Sequence, residues 1–120
     1  MSTTRIRLLV ALDIHEGKLA EFEAIAKQMV AASEKEPGTL LYHFVLSSDR
    51  KHCRLLEGYT DSGAVGEHFK GAAVQHLVPQ LLKVADLTMI EFYGDPGAEV
   101  TAAAARLNPS MFTSFHGFDR

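Results

Sequence analysis

The side chains best suited to proton transfer in this sequence are histidines and tyrosines within predicted helices and strands. His68 lies on a predicted helix among Val65, Phe69 and Ala72, which recur at helical spacing. An imidazole titrates near neutral pH, so it can act as a general acid or base. His68 is therefore the first candidate for a catalytic base. The alternative is a histidine that packs between helix and sheet and hydrogen-bonds to the backbone.

A second group of candidates lies on predicted strands and could bind a ligand. His43 shares a strand face with Val45, where it is either a second proton carrier or a structural histidine. Tyr42 and Tyr59 carry hydroxyl groups that could hydrogen-bond an oxygen atom of a ligand. The strand propensity of tyrosine is enough to explain their positions without a function.

Two glutamates on predicted strands need partners if they are buried. Glu57 and Glu91 each stand two residues before a tyrosine. Burying an unpaired carboxylate is costly. We therefore expect both to form cross-strand ion pairs, with Arg7 and Arg54 as partners, or to contact a second subunit.

The elements that position these residues follow from hydrophobic periodicity. Strands are predicted over residues 5–13, 39–47, 52–59 and 87–93, and helices over residues 18–35 and 62–84. Pro79 predicts a break or kink in the second helix. The order βαββαβ is typical of an α+β ferredoxin-like sandwich, a four-stranded antiparallel sheet with both helices on one face. This domain is expected over residues 1–97, and a C-terminal extension over residues 98–120.

The middle strands are apolar on both faces, although the helices can cover only one. Tyr42 and Phe44 alternate with Leu41 and Val45, so neither face of that strand is polar. A second copy packed on the open face would form a homodimer. The alternative is that residues 98–120 fold over their own sheet. Three phenylalanines of that extension are expected to pack against an apolar surface, or alternatively to cap a ligand cleft or contact the other subunit: Phe112, Phe115 and Phe118.

Composition excludes several other classes of protein. A chain of 120 residues with a net charge of -3 has no basic surface for nucleic acid. No apolar run approaches the roughly 18 residues of a membrane span. A single cysteine, Cys53, excludes an internal disulfide and a cysteine-based zinc site, and we expect it to fill a strand. The histidines have no metal-ligand spacing, so neither metal nor cofactor is expected, and the cytoplasm is the expected location.

Two segments resemble the antibiotic biosynthesis monooxygenase (ABM) family. The residues LEGYTD at 56–61 are followed by AVGEHF at 64–69, which places His68 nine positions after Tyr59 as in family members. The turn Glu36-Pro37-Gly38, with the segment LYHF at 41–44, is similar to a second family segment. The resemblance covers roughly residues 5–95.

The resemblance implies a dimeric α/β barrel with a ligand cleft between the sheet and the helices. Family members oxidise phenols or quinols with O2 and no metal or flavin, and others degrade haem. In the implied reaction His68 takes the phenolic proton, and four residues line an aromatic substrate's pocket: Tyr42, His43, Tyr59 and Phe69. Two other functions remain open, a non-catalytic sensor or carrier of small ligands and a ring isomerase or lyase.

The sequence departs from the family pattern at positions that bear on chemistry. Ala73 stands where many members have a second histidine five positions after the first. Haem-degrading relatives use an asparagine in the first strand and a tryptophan on a helix. The first predicted strand has no asparagine and the chain has no tryptophan, which disfavours haem degradation.

Overall fold

The computed structural model describes residues 5–120, and they form one sheet covered on one side by helices. The strands are β1 (Ile6–Ile14), β2 (Thr39–Leu46), β3 (His52–Tyr59), β4 (Ala85–Tyr93) and β5 (Ser110–Phe112). The α-helices are α1 (Leu19–Glu34), α2 (Ser62–Lys70), α3 (Val78–Leu81) and α4 (Ala98–Ala104). A π-helical turn at Ala73–Leu77 links α2 to α3, and a 3₁₀ turn at Ala105–Leu107 follows α4.

The sheet has the strand order β2-β3-β1-β4-β5. The first four strands pair antiparallel, as the βαββαβ order predicts, whereas β5 pairs parallel to β4. The prediction of a four-stranded sheet was therefore one strand short. Three residues are too few to show the alternation by which a strand is recognised in a sequence.

The core lies between the sheet and α1, α2 and α4. One face of β1 is buried at alternate positions, and Leu8 is 2% exposed. Helix α1 buries Phe22, Ala26, Met29 and Ser33, whose spacing of three and four residues makes one stripe. Helix α4 adds Val100 and Ala104 to the same core, so part of the extension packs on its own subunit.

The second helical region is irregular at two places. Helix α2 ends at Lys70, and Gly71 has an extended backbone conformation. The π-helical turn Ala73–Leu77 then continues directly into α3, whose first turn contains Pro79. The predicted irregularity at the proline therefore coincides with a change of helix type, and the complete break lies at Gly71.

The other face of the sheet has no helix against it. Leu41, Val45 and Leu56 are exposed there. The extension widens the sheet through β5 and leaves these residues uncovered, while Asp119 pairs with Arg7 at 2.6 Å. We call the surface formed by Leu41, Val45, Leu56, Phe112 and their neighbours in register the open face.

The phenylalanines of the extension do not pack as expected. Phe112 contacts the ring of Tyr93, but Phe115 is 99% exposed and Phe118 is also exposed. Between residues 5 and 120, no helix is long and apolar enough to cross a membrane.

Candidate active site

Helix α2 places His68 in the core beside two tyrosines. Asp61 begins the helix by accepting a hydrogen bond from the Ala64 N–H, at 2.9 Å. The helix then buries Val65 and His68, one turn apart, and only 2% of His68 is exposed. The ring centroid of His68 lies 5.1 Å from that of Tyr42 and 5.5 Å from that of Tyr59.

Glu36 is the hydrogen-bond partner of His68. His68 Nδ1 lies 2.8 Å from Glu36 Oε1, and the hydroxyl of Thr39 donates to the same oxygen at 2.7 Å. An ionised carboxylate accepts both bonds, and the proton is then on Nδ1. Nε2 of a neutral His68 is thus left as an acceptor, the arrangement that a general base requires.

A tight turn after α1 brings Glu36 to this position. A Cβ atom at Gly38 would lie 2.5 Å from the Cβ of Ala64, so a glycine is needed for the turn to approach α2 this closely. On the other side of Glu36, a Cβ atom at Gly71 would lie 3.2 Å from Glu36 Oε2. Two glycines therefore leave the space that the carboxylate occupies.

Glu57 lies on the opposite side of the imidazole. Its Oε1 is 4.0 Å from His68 Nε2 and accepts a hydrogen bond from the hydroxyl of Tyr59. Burial raises the pKa of Glu57, while the charge of His68 and the Tyr59 hydrogen bond oppose the rise. The expected ion pair or subunit contact of Glu57 was wrong, because its side chain faces the helices. Arg54, on the other face, donates to the Cys53 carbonyl.

The two tyrosines are neutral, and the Tyr59 hydroxyl is the hydrogen-bond donor to Glu57. Burial raises the pKa of Tyr42 far above its usual value, and the charges of Glu57 and Glu36 add to the effect. For Tyr59 the causes are burial and then its contact with Glu57. Neither phenol therefore ionises near neutral pH. His68, Glu36, Glu57, Tyr42 and Tyr59 are called the His68 cluster below.

A cleft of about 500 Å³ lies beside the cluster, between α1 and β2. We call it the α1–β2 cleft, and its lining is mostly apolar: Phe22, Ala26, Val30, Tyr42, Phe44 and Leu46. His68 is not part of the lining. Tyr42 contacts the cleft on one side and His68 on the other, so it forms the wall between them. A larger cleft of about 670 Å³, near Tyr93 and the extension, has no member of the cluster in its lining.

The candidates from the sequence divide between the surroundings of His68 and the lining of the α1–β2 cleft. Tyr42, Tyr59 and Phe69 all lie in ring contact with His68. His43 follows Tyr42 on the edge strand β2, where it is exposed and lines the α1–β2 cleft together with Tyr42. Tyr59 and Phe69 are not in the lining of that cleft. Glu36 was missed as a site residue, because the Glu-Pro-Gly segment indicated only a helix end. Its place within the second segment that resembles the family was the available signal.

More than half of the chain matches one known protein family. The family model described as antibiotic biosynthesis monooxygenase matches residues 5–80. The chain belongs to the ABM family. The match spans β1 to α3 and includes every member of the His68 cluster. No curated protein matches the chain.

Solved structures share the ABM fold with this chain. MupZ from Pseudomonas fluorescens is 20% identical with a TM-score of 0.86, and the match covers 100% of this chain and 92% of that one. A Caulobacter crescentus protein, provisionally named an antibiotic biosynthesis monooxygenase, is 22% identical with a TM-score of 0.69, covering 75% of this chain and 88% of that one. The MupZ match therefore extends over residues 98–120, which the family model does not reach.

A conserved Bacteroides thetaiotaomicron protein of unknown function, described as a possible oxidoreductase, is 25% identical with a TM-score of 0.69. That match covers 76% of this chain and 97% of the other. In the part of this ABM chain that the structure describes, no three His, Cys, Asp or Glu side chains are placed to hold a metal ion.

Proposed function

We propose that this ABM protein is a monooxygenase that oxidises a phenolic or quinol-type aromatic molecule with O2, without metal or flavin. The observation that carries the proposal is a buried histidine–carboxylate pair directly behind the wall of an apolar cleft. Membership of the ABM family and the provisional name of the Caulobacter relative support the same class of reaction. The cleft offers a water-poor surface for an aromatic ring.

The proposed reaction begins with removal of the phenolic proton. The substrate ring lies in the α1–β2 cleft against Phe22 and Phe44, with its hydroxyl toward Tyr42. The Tyr42 hydroxyl accepts the proton as it passes its own toward His68, whose imidazolium is stabilised by Glu36. A concerted relay is required because burial and two carboxylates make a free Tyr42 phenolate unfavourable.

The phenolate is the electron-rich species that reacts with O2. It transfers electrons to O2, and a carbon–oxygen bond forms on the ring. With a phenol, one oxygen atom becomes the second quinone carbonyl, and the other leaves as water with two protons. With a quinol, the first oxygen atom instead enters at a ring carbon, so the products are a hydroxyquinone and one water. One phenol and one O2 thus give one quinone and one water, so no external reductant is consumed.

Replacement of His68 tests this mechanism. His68→Gln keeps a polar side chain but no base, and we expect oxygen uptake with a panel of naphthols and hydroquinones to fall about 10²- to 10⁴-fold. His76→Gln, at an exposed position of the π-helical turn, is the control and should keep full activity. Parental activity in His68→Gln would remove His68 from the mechanism.

Glu57 favours a second candidate function, a ring isomerase or lyase. A buried carboxyl group with a raised pKa is a proton donor, and His68 4.0 Å away is a base, so the pair could move a proton without O2. Product formation under strictly anaerobic conditions would favour this function. A requirement for one O2 per product would favour the monooxygenase.

We further propose that the protein acts as a homodimer in which a second copy covers the open face. Leu41, Val45 and Leu56 are exposed side by side there, and Phe112 extends the apolar surface onto β5. The extension leaves them uncovered, although the sequence allowed it to fold over them. A sheet of the same shape is a suitable cover for so broad an apolar surface.

A further inference from the structure

Thr39, the first residue of β2, is bonded to Glu36 through both its backbone and its side chain. Its N–H donates to the Glu36 carbonyl at 3.1 Å, which closes the turn after α1, and its hydroxyl donates to Glu36 Oε1 at 2.7 Å. The strand register is irregular between Thr39 and Leu41. Such an irregularity re-aims side chains at the end of a strand, and here the Thr39 hydroxyl reaches the carboxylate.

Two carboxyl groups compete for the proton of the His68 ring. Glu36 Oε1 lies 2.8 Å from Nδ1, and Glu57 Oε1 lies 4.0 Å from Nε2. A neutral imidazole carries one proton, which is either on Nδ1 toward Glu36 or on Nε2 toward Glu57. The first tautomer leaves Nε2 able to accept a proton, and the second does not. The tautomer therefore decides whether this nitrogen can act as a base.

Thr39 acts on that competition through the same oxygen atom that His68 contacts. The Thr39 hydroxyl and His68 Nδ1 both lie within hydrogen-bond distance of Glu36 Oε1. A hydroxyl donates more strongly to an ionised carboxylate than to a neutral carboxyl group, so the Thr39 bond favours a Glu36 that accepts from Nδ1. Glu57 is the weaker acceptor, because burial raises its pKa and favours its neutral form.

We propose that Thr39 is a positioning residue, which holds Glu36 Oε1 against Nδ1 and thereby keeps His68 in the tautomer whose Nε2 can accept a proton. The reaction that this nitrogen serves is the proposed oxidation, so the inference rests on the proposed function for that step. The tautomer itself is a property of the protein without substrate. Thr39 is not in the lining of the α1–β2 cleft, so it acts on the base and not on binding of the ring.

The ¹⁵N signals of the histidine rings test the tautomer without substrate or O2. At about pH 8, where an ordinary histidine is neutral, the parent should carry the His68 proton on Nδ1. His68→Gln identifies the His68 signals among those of the six histidines. Thr39→Val replaces the hydroxyl by a methyl group, and we expect the ratio of tautomers to change about fivefold to tenfold toward Nε2–H. Thr39→Ser keeps a hydroxyl and should restore the parental signals.

Oxygen uptake tests the consequence for the reaction. In Thr39→Val, kcat should fall about tenfold because Glu36 stabilises the imidazolium less well, while KM stays within about twofold because the cleft is unchanged. Thr88→Val is the matched control, since the Thr88 hydroxyl also donates from a strand, to the Ala11 carbonyl at 3.3 Å, and lies outside the His68 cluster. This control should keep the parental His68 signals and kinetics.

The possible outcomes separate the role of Thr39 from the oxidation itself. A parental ring with its proton on Nε2 or on both nitrogens, or a tautomer ratio unchanged in Thr39→Val, would overturn the inference. A loss of kcat that Thr39→Ser does not restore would also overturn it, because packing rather than the hydroxyl would then be the cause. Thr39→Ala removes the same hydroxyl and takes the place of the valine variant if that variant does not fold. A tautomer shift in a protein that takes up no oxygen would support the role of Thr39 and contradict the proposed oxidation.

Discussion

Glu57 is a buried carboxyl group that lies between a tyrosine hydroxyl and an imidazole ring. Tyr59 donates to it, and His68 Nε2 lies 4.0 Å away. Its carboxylate form would be poorly solvated, and burial is the largest cause of the raised pKa. The folded chain therefore holds a proton on Glu57 more tightly than the unfolded chain does. This difference couples the stability of the protein to pH.

The direction of that coupling follows from which state binds the proton. The ordinary pKa of Glu57 is 4.5, and the folded value is higher. Above about pH 4.5 the folded chain binds more protons at this site than the unfolded chain, so the free energy of unfolding falls as pH rises until the folded group has ionised. In Glu57→Gln this dependence is absent. We expect its melting temperature to gain a few degrees on the parent between pH 4.5 and pH 8.

Glu91→Gln is the matched control for that measurement. Glu91 also stands two residues before a tyrosine and accepts its hydroxyl, but it is only partly buried, on the open face. Thermal unfolding of the three proteins across the same pH range gives the comparison. If the melting temperatures of the parent and Glu57→Gln changed in parallel with pH, the raised pKa of Glu57 in the folded protein would be contradicted.

At the scale of single residues, the sequence predicted side chains whose environment is set locally. His68 and Val65 are one helical turn apart, which was enough to place the histidine toward the core. Glu36 could not be found in this way, because its contact with His68 depends on two segments that meet only in the folded chain. The alternation along β3 predicted that Glu57 and Tyr59 share one face of the strand. It did not predict that the helices cover this face.

At the scale of elements, the turn after α1 and the end of α2 together enclose the side chain of Glu36. Gly71→Ala places a methyl group 3.2 Å from Glu36 Oε2, tighter than ordinary van der Waals contact. Its φ of -78° suits alanine, so backbone strain adds nothing. We expect a loss of about 1 kcal/mol of stability and a weaker bond between Glu36 and His68 Nδ1. The ¹⁵N shifts of the His68 ring report that bond directly.

Gly66→Ala is the control on the same helix. A Cβ atom at Gly66 meets nothing within 4 Å, and the position is helical. Alanine there should stabilise the protein by about 0.5–1 kcal/mol and leave the His68 ring signals unchanged. Unchanged His68 signals in Gly71→Ala as well would show that the carboxylate does not need the space at Gly71.

The elements themselves were predictable where a periodic pattern is long. The four longer strands and α1 follow the sequence pattern closely, because alternation and the 3.6-residue period extend over eight or more residues. Strand β5 has three residues and no pattern of its own, and it forms only because the edge of β4 is available for pairing. Gly71 and Pro79 both mark the second helical region as irregular in the sequence, but which of them ends the helix is settled only by packing in the folded chain.

At the scale of the whole molecule, the charges of the open face restrict how a second copy can pack. Arg54 lies on β3 and Glu91 on β4, on either side of the central strand β1. A twofold axis along β1 places β3 of one copy over β4 of the other, which brings Arg54 near the partner's Glu91. A twofold axis perpendicular to the strands would instead place β3 over β3, so that the Arg54 side chains of the two copies face each other. The first arrangement pairs opposite charges, so it is favoured.

The dimer can be tested at an apolar position near the centre of that face. Leu56 is 37% exposed on β3, and Leu82, outside the open face, is also 37% exposed. Leu56→Arg would place a cation against the apolar surface of the partner, and we expect sedimentation velocity at micromolar concentration to change from dimer to monomer. Leu82→Arg adds the same charge at equal exposure and should remain dimeric. A monomeric parent, or a dimer that persists in Leu56→Arg, would place the interface elsewhere and leave the open face without a partner.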